Sequence, residues 1–446
     1  MKSAFDAVIV GAGPAGSTAA ILLARAGWSV ALVEKQRFPR RKVCGECVAA
    51  SNLPLLAALG LGPAFEAAAG PELRRVALMR GEREVVADLP PAADARHRWG
   101  RALGRETLDT LLLEQARATG AQVLQPWSVQ AIDGAAGAWR CQLRALDSGA
   151  ALTLHAPLAI DAHGSWEALP SARPRRRQAR SAADLFAFKA NFRGAALAEG
   201  LLPVLSFDGG YGGMVVADGG VTTVACCLRG DRLDACRRAA PGLRAGEAVE
   251  AWLRRECGGV RAALQTAVRE GPWLAAGPLD PGIRVDAGDG LLRIGNAAGE
   301  AHPIIGEGMS MALQSAWLLC AQLLGGAQPL GAERREPRVL HLGPAWQREV
   351  GLRYAAQWRR QFAARLRLAA AFAQAAMRPA TAAPLMALAE AWPGLLTRGA
   401  QWGGKVRCGV DSATIARLTA PTASANSLGA APAFARAPAS QPQGTT

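Results

Sequence analysis

A glycine-rich turn near the start of the chain has the spacing that binds phosphate groups. It consists of Gly11, Gly13, Pro14, Ala15 and Gly16. The turn follows the apolar residues 7–10 and precedes the alanine- and leucine-rich residues 17–26, which predicts a strand, a tight turn and a helix. In this arrangement Gly13 lets the backbone approach a pyrophosphate, and the helix N-terminus supplies free N–H groups to it. The chemistry expected here is the binding of a dinucleotide.

A carboxylate follows at the distance that such a site requires. The next apolar run, residues 29–33, ends in Glu34, about twenty residues after the first glycine. An acidic side chain in this place accepts hydrogen bonds from a ribose. The sequence therefore predicts a Rossmann-like unit, with Glu34 and the adjacent Lys35 in the cofactor site.

Three later stretches are expected to return to the same site. Arg105 opens a helix that runs through residue 117. The apolar run at 158–161 ends in Asp161 and is followed by Gly164. The third stretch joins a strand to a helix predicted over residues 309–324 through polar and glycine-rich positions, which are Gly295, Asn296, Pro303, Gly306, Gly308 and Met309. The N-terminus of that helix would direct unpaired N–H groups at the ligand of the glycine loop.

A second sheet is predicted between these stretches. Residues 186–193 alternate between aromatic or small residues and polar ones, which is typical of a half-buried antiparallel strand. Strands at 213–217 and 221–228, joined by a turn at 218–220, would extend it into a layer that holds a substrate.

Composition limits the classes of partner. The chain has 446 residues, a hydrophobic content of 50% and a formal net charge of +15. No stretch interleaves basic and aromatic residues over a reading surface, so we expect no nucleic-acid partner. No cleavable signal and no apolar run long enough to span a bilayer are visible, so a cytoplasmic protein is expected. The nine cysteines are an odd number, and the CxxC of Cys44 and Cys47 has no second pair to complete a zinc site, so we expect neither disulfides nor a metal site.

These motifs together resemble the FAD-binding family that includes para-hydroxybenzoate hydroxylase, and within it the geranylgeranyl reductase-like branch. The resemblance covers roughly residues 4 to 325. It implies FAD as the cofactor, held by the glycine turn, Glu34, Arg105, the Asp161–Gly164 turn and the Gly295–Met309 stretch. Asn296 stands where the family usually has Asp, so this contact would carry no charge.

The basic loop after Glu34 resembles the reductase branch's Arg-x-Lys-x-Cys-Gly-Glu sequence beside the flavin. Arg40 and Lys42 would then bind the cofactor. Cys44 and Glu46 would lie near the reacting face, where Glu46 either relays a proton or braces the turn. Tyr211 resembles the start of the branch's Tyr-x-Trp-x-Phe-Pro signature and is the predicted substrate residue, although the Trp and Pro are absent. The Trp-x-Trp-x-Ile-Pro sequence of flavin-dependent halogenases is also absent, so halogenation is not expected.

The chain after about residue 330 is predicted to be helical. Residues 346–377 have the pattern of a basic amphipathic helix, which would either pack on the core or lie on a membrane surface. Residues 385–396 are expected to form a further helix. The Ala-, Pro-, Ser- and Gly-rich residues from 419 onward are typical of a disordered tail.

The predicted fold class is α/β with an α+β insert. An FAD-binding, Rossmann-like doubly wound domain would comprise residues 1–180 and 281–330, interlaced with substrate-side segments near 60–100. An antiparallel substrate sheet would occupy 181–280, C-terminal helices 331–418, and a tail 419–446.

The predicted function is that of an FAD-dependent oxidoreductase acting on an apolar small molecule of isoprenoid, polyketide-like or aromatic type. The preferred prediction is reduction or dehydrogenation of a carbon–carbon bond by hydride transfer. Aromatic monooxygenation with NAD(P)H, bound transiently, and oxygen is the alternative. A non-catalytic flavin- or lipid-binding protein is the second alternative. The electron donor stays open, and peripheral membrane contact is considered for an apolar substrate.

Overall fold

The apolar runs of the sequence form strands in a computed structural model that describes residues 2–165, 169, 181–286, 288–325 and 342–403. The strands, in chain order, are β1 Ala7–Val10, β2 Val30–Val33, β3 Cys47–Val48, β4 Arg75–Arg80, β5 Arg83–Asp88, β6 Arg101–Ala102, β7 Gln122–Leu124, β8 Trp127–Ala135, β9 Ala138–Ala145, β10 Ala151–Ala156, β11 Leu158–Asp161, β12 Leu185–Arg193, β13 Leu201–Phe207, β14 Gly210–Val216, β15 Thr222–Arg229, β16 Val268–Ala276, β17 Gly282–Ile283, β18 Leu292–Arg293 and β19 Gly299–Glu300. The helices are α1 Pro14–Arg25, α2 Leu53–Ala58, α3 Gly62–Ala68, α4 Arg105–Ala118, α5 Gly230–Ala239, α6 Ala245–Glu256, α7 Gly258–Ala263, α8 Gly308–Gly325, α9 Pro344–Met377, α10 Pro379–Ala391 and α11 Gly394–Trp402.

A parallel sheet in the order β18-β11-β1-β2-β7 forms the cofactor-side unit. Every residue of β1, β2 and β11 is buried, as expected for strands covered on both faces. Helices α1, α4 and α8 pack on one face, whereas the antiparallel sheet β10-β9-β8 packs on the other. The predicted Rossmann-like α/β unit is confirmed. Its second face is covered by strands because the hairpin at residues 138–156 presents Trp139, Cys141, Leu143 and Leu154 to it.

The second sheet has seven strands in the order β16-β12-β15-β14-β13-β4-β5. Strands β13 and β4 are parallel, and the other neighbours are antiparallel. Two strands therefore come from residues 75–88, and the predicted antiparallel substrate sheet is larger than residues 181–280. Helices α5, α6 and α7 follow β15 in the chain, and α6 and α7 bury their apolar residues against one face of the sheet. The other face is turned to the cofactor-side unit and the C-terminal helices.

The C-terminal helices decide between the two alternatives for residues 346–377 and correct one other expectation. The apolar stripe of α9, made of Val350, Tyr354, Trp358, Phe362 and Leu366, is buried, so this stripe packs on the core and is not a membrane surface. The helix predicted at residues 385–396 is instead the end of α10 and the start of α11, because Pro393 lacks the N–H that would continue α10.

Two further expectations lie outside the described residues. They are the tail from residue 419 and the domain boundaries near 330 and 418. No helix in the described part of the chain is long and apolar enough to cross a membrane.

Candidate active site

The three glycines of the first turn are required for different structural reasons. Gly11 has φ +102°, and a Cβ there would lie 2.5 Å from the Ala162 carbonyl oxygen. A Cβ on Gly16 would lie 1.8 Å from the carbonyl oxygen of Gly11. A Cβ on Gly13 would instead face open space, with Arg105 Nη2 as its nearest neighbour at 3.7 Å. Gly11 and Gly16 are thus needed by the fold, whereas Gly13 leaves the room that a pyrophosphate would take.

Glu34 braces the glycine turn from the neighbouring strand end. Its side chain is buried, and its two carboxylate oxygens accept hydrogen bonds from the N–H groups of Ala12 and Gln36, both at 2.9 Å. A carboxylate has about four acceptor sites, so capacity for a ribose hydroxyl remains. Lys35 beside it is half-buried.

Three cationic side chains converge beside the turn. Arg105 donates to both carboxylate oxygens of Asp109 at 2.7 Å, and Arg40 lies 3.5 Å from the same carboxylate and 3.8 Å from Glu34. The Lys42 ammonium lies 3.3 Å from the place of a Cβ on Gly164, within the cavity described below. Two carboxylates against three cations leave a local excess of positive charge, which suits an anionic dinucleotide.

The Lys42 ammonium predicts a pH-dependent affinity for FAD. The pKa of Lys42 is lowered to about 8, chiefly by burial and further by the neighbouring Arg105 and Arg40, while Asp109 and Glu34 partly oppose the shift. Bound phosphate would stabilise the charged form, so the affinity is complete below pH 8 and falls above it by up to about tenfold per pH unit. Fluorescence titration of the flavin-free protein with FAD measures this fall. Lys42→Arg should remove the pH dependence by keeping the charge, and an equal fall in that variant would exclude Lys42 as its source.

One cavity of about 660 Å³ joins most of the predicted site residues. Twelve predicted cofactor residues line it: Gly13, Pro14, Ala15, Lys42, Arg105, Gly164, Gly295, Asn296, Pro303, Gly306, Gly308 and Met309. Cys44, Glu46 and Tyr211 line it as well. Six predicted cofactor residues do not line it: Gly11, Gly16, Glu34, Lys35, Arg40 and Asp161. The contacts of the other five, leaving out Lys35, show that they support the residues that line the cavity.

The start of α8 forms one wall of the cavity. Gly306 adopts a left-handed conformation with φ +62°, and a Cβ on Gly308 would meet nothing within 4 Å. The first N–H groups of a helix are free of intrahelical partners and carry partial positive charge. This wall can therefore stabilise negative charge on a bound ring, as the sequence predicts. Asn296 donates to Ser165 Oγ at 2.7 Å and fixes the neighbouring turn.

Asp161 does not line the cavity but holds together the elements around it. Its carboxylate contacts the His163 ring and lies 3.6 Å from Arg293 Nε. Arg293 is itself held at its carbonyl oxygen by the Tyr354 hydroxyl at 2.8 Å. Asp161 thus links β11, β18 and α9 at the carboxyl end of the parallel sheet.

Glu46 of the basic loop forms one ion pair and accepts two further hydrogen bonds. It is buried, has φ +57°, and forms an ion pair with Lys189 of β12. It also accepts hydrogen bonds from the Arg105 N–H at 2.9 Å and from Thr223 Oγ1 at 2.5 Å. Of its two predicted roles, these contacts favour the bracing of the loop. The half-buried thiol of Cys44 accepts a hydrogen bond from the Glu46 N–H at 3.3 Å and lines the cavity.

The sequence pattern gives the wrong environment for Lys189. Alternation along residues 186–193 places Lys189 on the more polar side of β12, yet its side chain is only 2% exposed. This side of the sheet faces the basic loop instead of solvent, and only the tertiary packing reveals that.

The sequence predicts Tyr211 as a site residue but does not predict the polar residues that surround it. The Tyr211 hydroxyl lies 3.3 Å from His302 Nδ1, and Cys227 and Glu300 lie close enough to affect its ionisation. Burial raises the pKa of Tyr211 and lowers that of His302, so both are uncharged at neutral pH. In the sequence, the one feature that points to His302 is its position within the Gly295–Met309 stretch, between Gly295 and Gly306.

The first part of the chain is similar to known sequences. Residues 4–207 match the family described as FAD binding domain. A stretch of 125 residues is 36% identical to a tryptophan 2-halogenase from Chondromyces crocatus and covers 28% of this chain and 23% of that protein. A stretch of 119 residues is 38% identical to a menaquinone reductase from Mycobacterium tuberculosis and covers 27% of this chain and 28% of that protein. These matches therefore span only about a quarter of the curated relatives.

Solved structures share the architecture over nearly the whole chain. The myxobacterial chondrochloren halogenase CndH superposes with a TM-score of 0.66 and 18% identity over 94% of this chain and 96% of that chain. PqsL, a probable FAD-dependent monooxygenase from Pseudomonas aeruginosa, gives 0.64 and 18% over 85% of this chain and 99% of that chain. Such low identity establishes the fold alone. Residues 4–207 therefore resemble an FAD binding domain, and the chain shares its fold with these FAD-dependent enzymes.

Proposed function

We propose that the protein is an FAD-dependent monooxygenase of an apolar small molecule. The observation that carries this proposal is the single cavity that runs from Gly13 to an apolar wall. That wall includes Val76, Leu78, Val204, Met214, Phe372 and Met386. A substrate on this wall would lie beside the ring end of a bound FAD. The relatives named as halogenases and monooxygenases support oxygen-dependent chemistry on this fold.

The chain's own residues provide binding, orientation and exclusion of water. Reduced flavin, when bound, would supply the electrons. In the proposed reaction one atom of O₂ enters the substrate and the other leaves as water, with two electrons drawn from NAD(P)H, bound transiently, or from another carrier. Apolar walls exclude water from the reacting atoms and bind an apolar substrate.

Tyr211 is the residue that we propose to orient the substrate. It is the cavity-lining member of the Tyr211–His302 pair, and its hydroxyl keeps its proton at neutral pH because burial raises its pKa. It can donate one hydrogen bond to a substrate oxygen while His302 holds it in place. The apolar surroundings make such a bond selective, because an unpaired polar group there would be costly.

Tyr211→Phe should reduce kcat/KM by about tenfold, equivalent to about 1.4 kcal/mol. The ring would keep its packing, so the flavin content should not change. Tyr354→Phe is the matched control, since Tyr354 is the chain's only other tyrosine and lies outside the cavity lining. Steady-state kinetics of both variants tests this role. Equal losses in the two variants would remove Tyr211 from substrate binding.

An isotope experiment tests the reaction itself. Purified enzyme, NADPH and an extract of a deletion strain, which contains the accumulated substrate, are incubated under ¹⁸O₂. The proposal predicts a new product that carries the heavy oxygen and is not formed without oxygen. A product formed anaerobically by reduced enzyme would instead establish a reductase.

Reduction of a carbon–carbon bond by hydride transfer is the second candidate. Two observations favour it: the identity to a menaquinone reductase and the Cys44–Glu46 loop, which resembles the geranylgeranyl reductase-like branch and lines the cavity. Cys44→Ser with unchanged turnover would remove the thiol from either reaction. Cys47, which lies in β3, is expected to be dispensable.

A further inference from the structure

The last two described helices are unusually poor in charge for surface elements. Helix α10 contains one charged residue, Glu390, and α11 contains one, Arg398. A helix with apolar residues on all sides is normally buried in protein or lies in lipid. These two helices are at the edge of the described structure and leave apolar side chains in solvent.

The inner face of the two helices forms part of the cavity wall. Met386 and Ala389 of α10 are buried against Leu78 and Val85 of the second sheet. Leu385 of α10 and Leu396 and Ala400 of α11 line the cavity. Burial explains why the inner face of the helices is apolar. It does not explain why the residues on the outer face are apolar.

The outer face carries large apolar side chains. Trp392 is 64% exposed and Trp402 68%, and Leu388 and Leu395 are 39% and 37% exposed. Leu388, Leu395 and Trp402 also line the cavity. Phe372 of α9 is 37% exposed and shares this lining. The cavity therefore opens through an exposed apolar face, which we call the mouth: Leu368, Phe372, Leu388, Trp392, Leu395 and Trp402.

The charge around the mouth is positive. Within residues 365–403 the one carboxylate, Glu390, pairs with Arg83. Exposed arginines stand at 367, 378 and 398 of the same stretch. Two exposed carboxylates of the neighbouring strand β5, Glu84 and Asp88, offset part of this charge. The net charge of the whole chain, +15, has the same sign as the excess at the mouth.

We propose that the mouth docks on an anionic lipid bilayer, from which the apolar substrate enters the cavity. Tryptophan is favoured at the membrane–water interface, because its ring is apolar and its N–H is polar. Arginine can extend its guanidinium to lipid phosphates while its stem covers apolar surface. Exposed apolar side chains flanked by arginines fit an interfacial contact that does not cross the membrane. The proposal needs the apolar cavity but not a particular reaction, so it can fail or hold independently of the proposed function.

Flotation of the FAD-loaded full chain with lipid vesicles tests this proposal. Vesicles contain either phosphatidylcholine alone or phosphatidylcholine mixed with phosphatidylglycerol. The wild type should bind the mixed vesicles and bind pure phosphatidylcholine more weakly. The double variant Trp392→Ser/Trp402→Ser should bind mixed vesicles more weakly by about tenfold or more. Arg367→Gln/Arg378→Gln should reduce the preference for phosphatidylglycerol.

Matched controls separate the mouth from general exposed apolar surface. Leu146 and Leu243 are 57% and 48% exposed and follow β9 and α5, which do not contribute to the mouth, so Leu146→Ser/Leu243→Ser should bind vesicles like the wild type. Bound flavin and circular dichroism check that each variant is folded. Absence of wild-type binding to the mixed vesicles would overturn the proposal. The proposal would also be overturned if the folded tryptophan variant bound the mixed vesicles as strongly as the wild type. That result is expected if another segment of the chain covers the mouth.

Discussion

Replacing Gly13 with valine should give a folded protein that has lost FAD. The backbone at Gly13 has φ −69° and ψ −176°, which valine adopts readily, and a Cβ there meets no atom closer than 3.7 Å. The same side chain would occupy the space of the pyrophosphate and push it from the helix N-terminus. We expect affinity for FAD to fall by at least about a hundredfold, or about 2.7 kcal/mol. Visible absorbance of the purified protein and titration with FAD measure the loss.

Gly16→Val is the matched control because it acts on the fold instead of the ligand. Its Cβ would lie 1.8 Å from the Gly11 carbonyl oxygen, so helix and strand could not keep their contact. This variant should lose cooperative unfolding along with its flavin. A Gly13→Val protein with full flavin content would contradict the assignment of the turn.

Replacing Lys189 with methionine should destabilise the protein by about 3–5 kcal/mol. Lys189 and Glu46 are each 2% exposed and form an ion pair that joins the second sheet to the basic loop. The substitution would leave a buried carboxylate with only the Arg105 N–H and the Thr223 hydroxyl as donors. Urea unfolding at saturating FAD measures the change from the shift in midpoint.

The double variant Glu46→Gln/Lys189→Met supplies the control. It removes both charges and should recover much of the lost stability, because a buried ion pair is worth little relative to neutral side chains of similar size. Activity of the stable double variant then separates bracing from proton transfer by Glu46. A Lys189→Met protein as stable as the wild type would show that the pair does not hold the loop.

The local motifs were predictable because each depends on a few adjacent residues. The glycine turn at 11–16 needs only a preceding strand and a following helix, and both were visible as apolar runs. Helices α4, α8 and α9 had long apolar stripes, so their existence and approximate ends were readable. A dinucleotide site and the fold class follow from these segments, whereas FAD follows from the family resemblance.

The remaining features depend on contacts between distant segments. Strand β13 contains Pro203, which argues against a central strand, yet β13 pairs with β4 on one side and with β14 on the other. The pairs Glu46–Lys189 and Tyr211–His302 join residues about a hundred positions or more apart, so no spacing rule reveals them. The substrate wall required the packing of α10 and α11 over β4.

The flavin released from the purified protein shows whether the cavity holds FAD. The protein is denatured without proteolysis, and mass spectrometry identifies and quantifies the flavin in the supernatant. The site predicts FAD, released intact and close to one molecule per chain, since a dinucleotide engages both the phosphate turn and Glu34. Release of FMN instead, or no flavin even after incubation with FAD, would contradict the account.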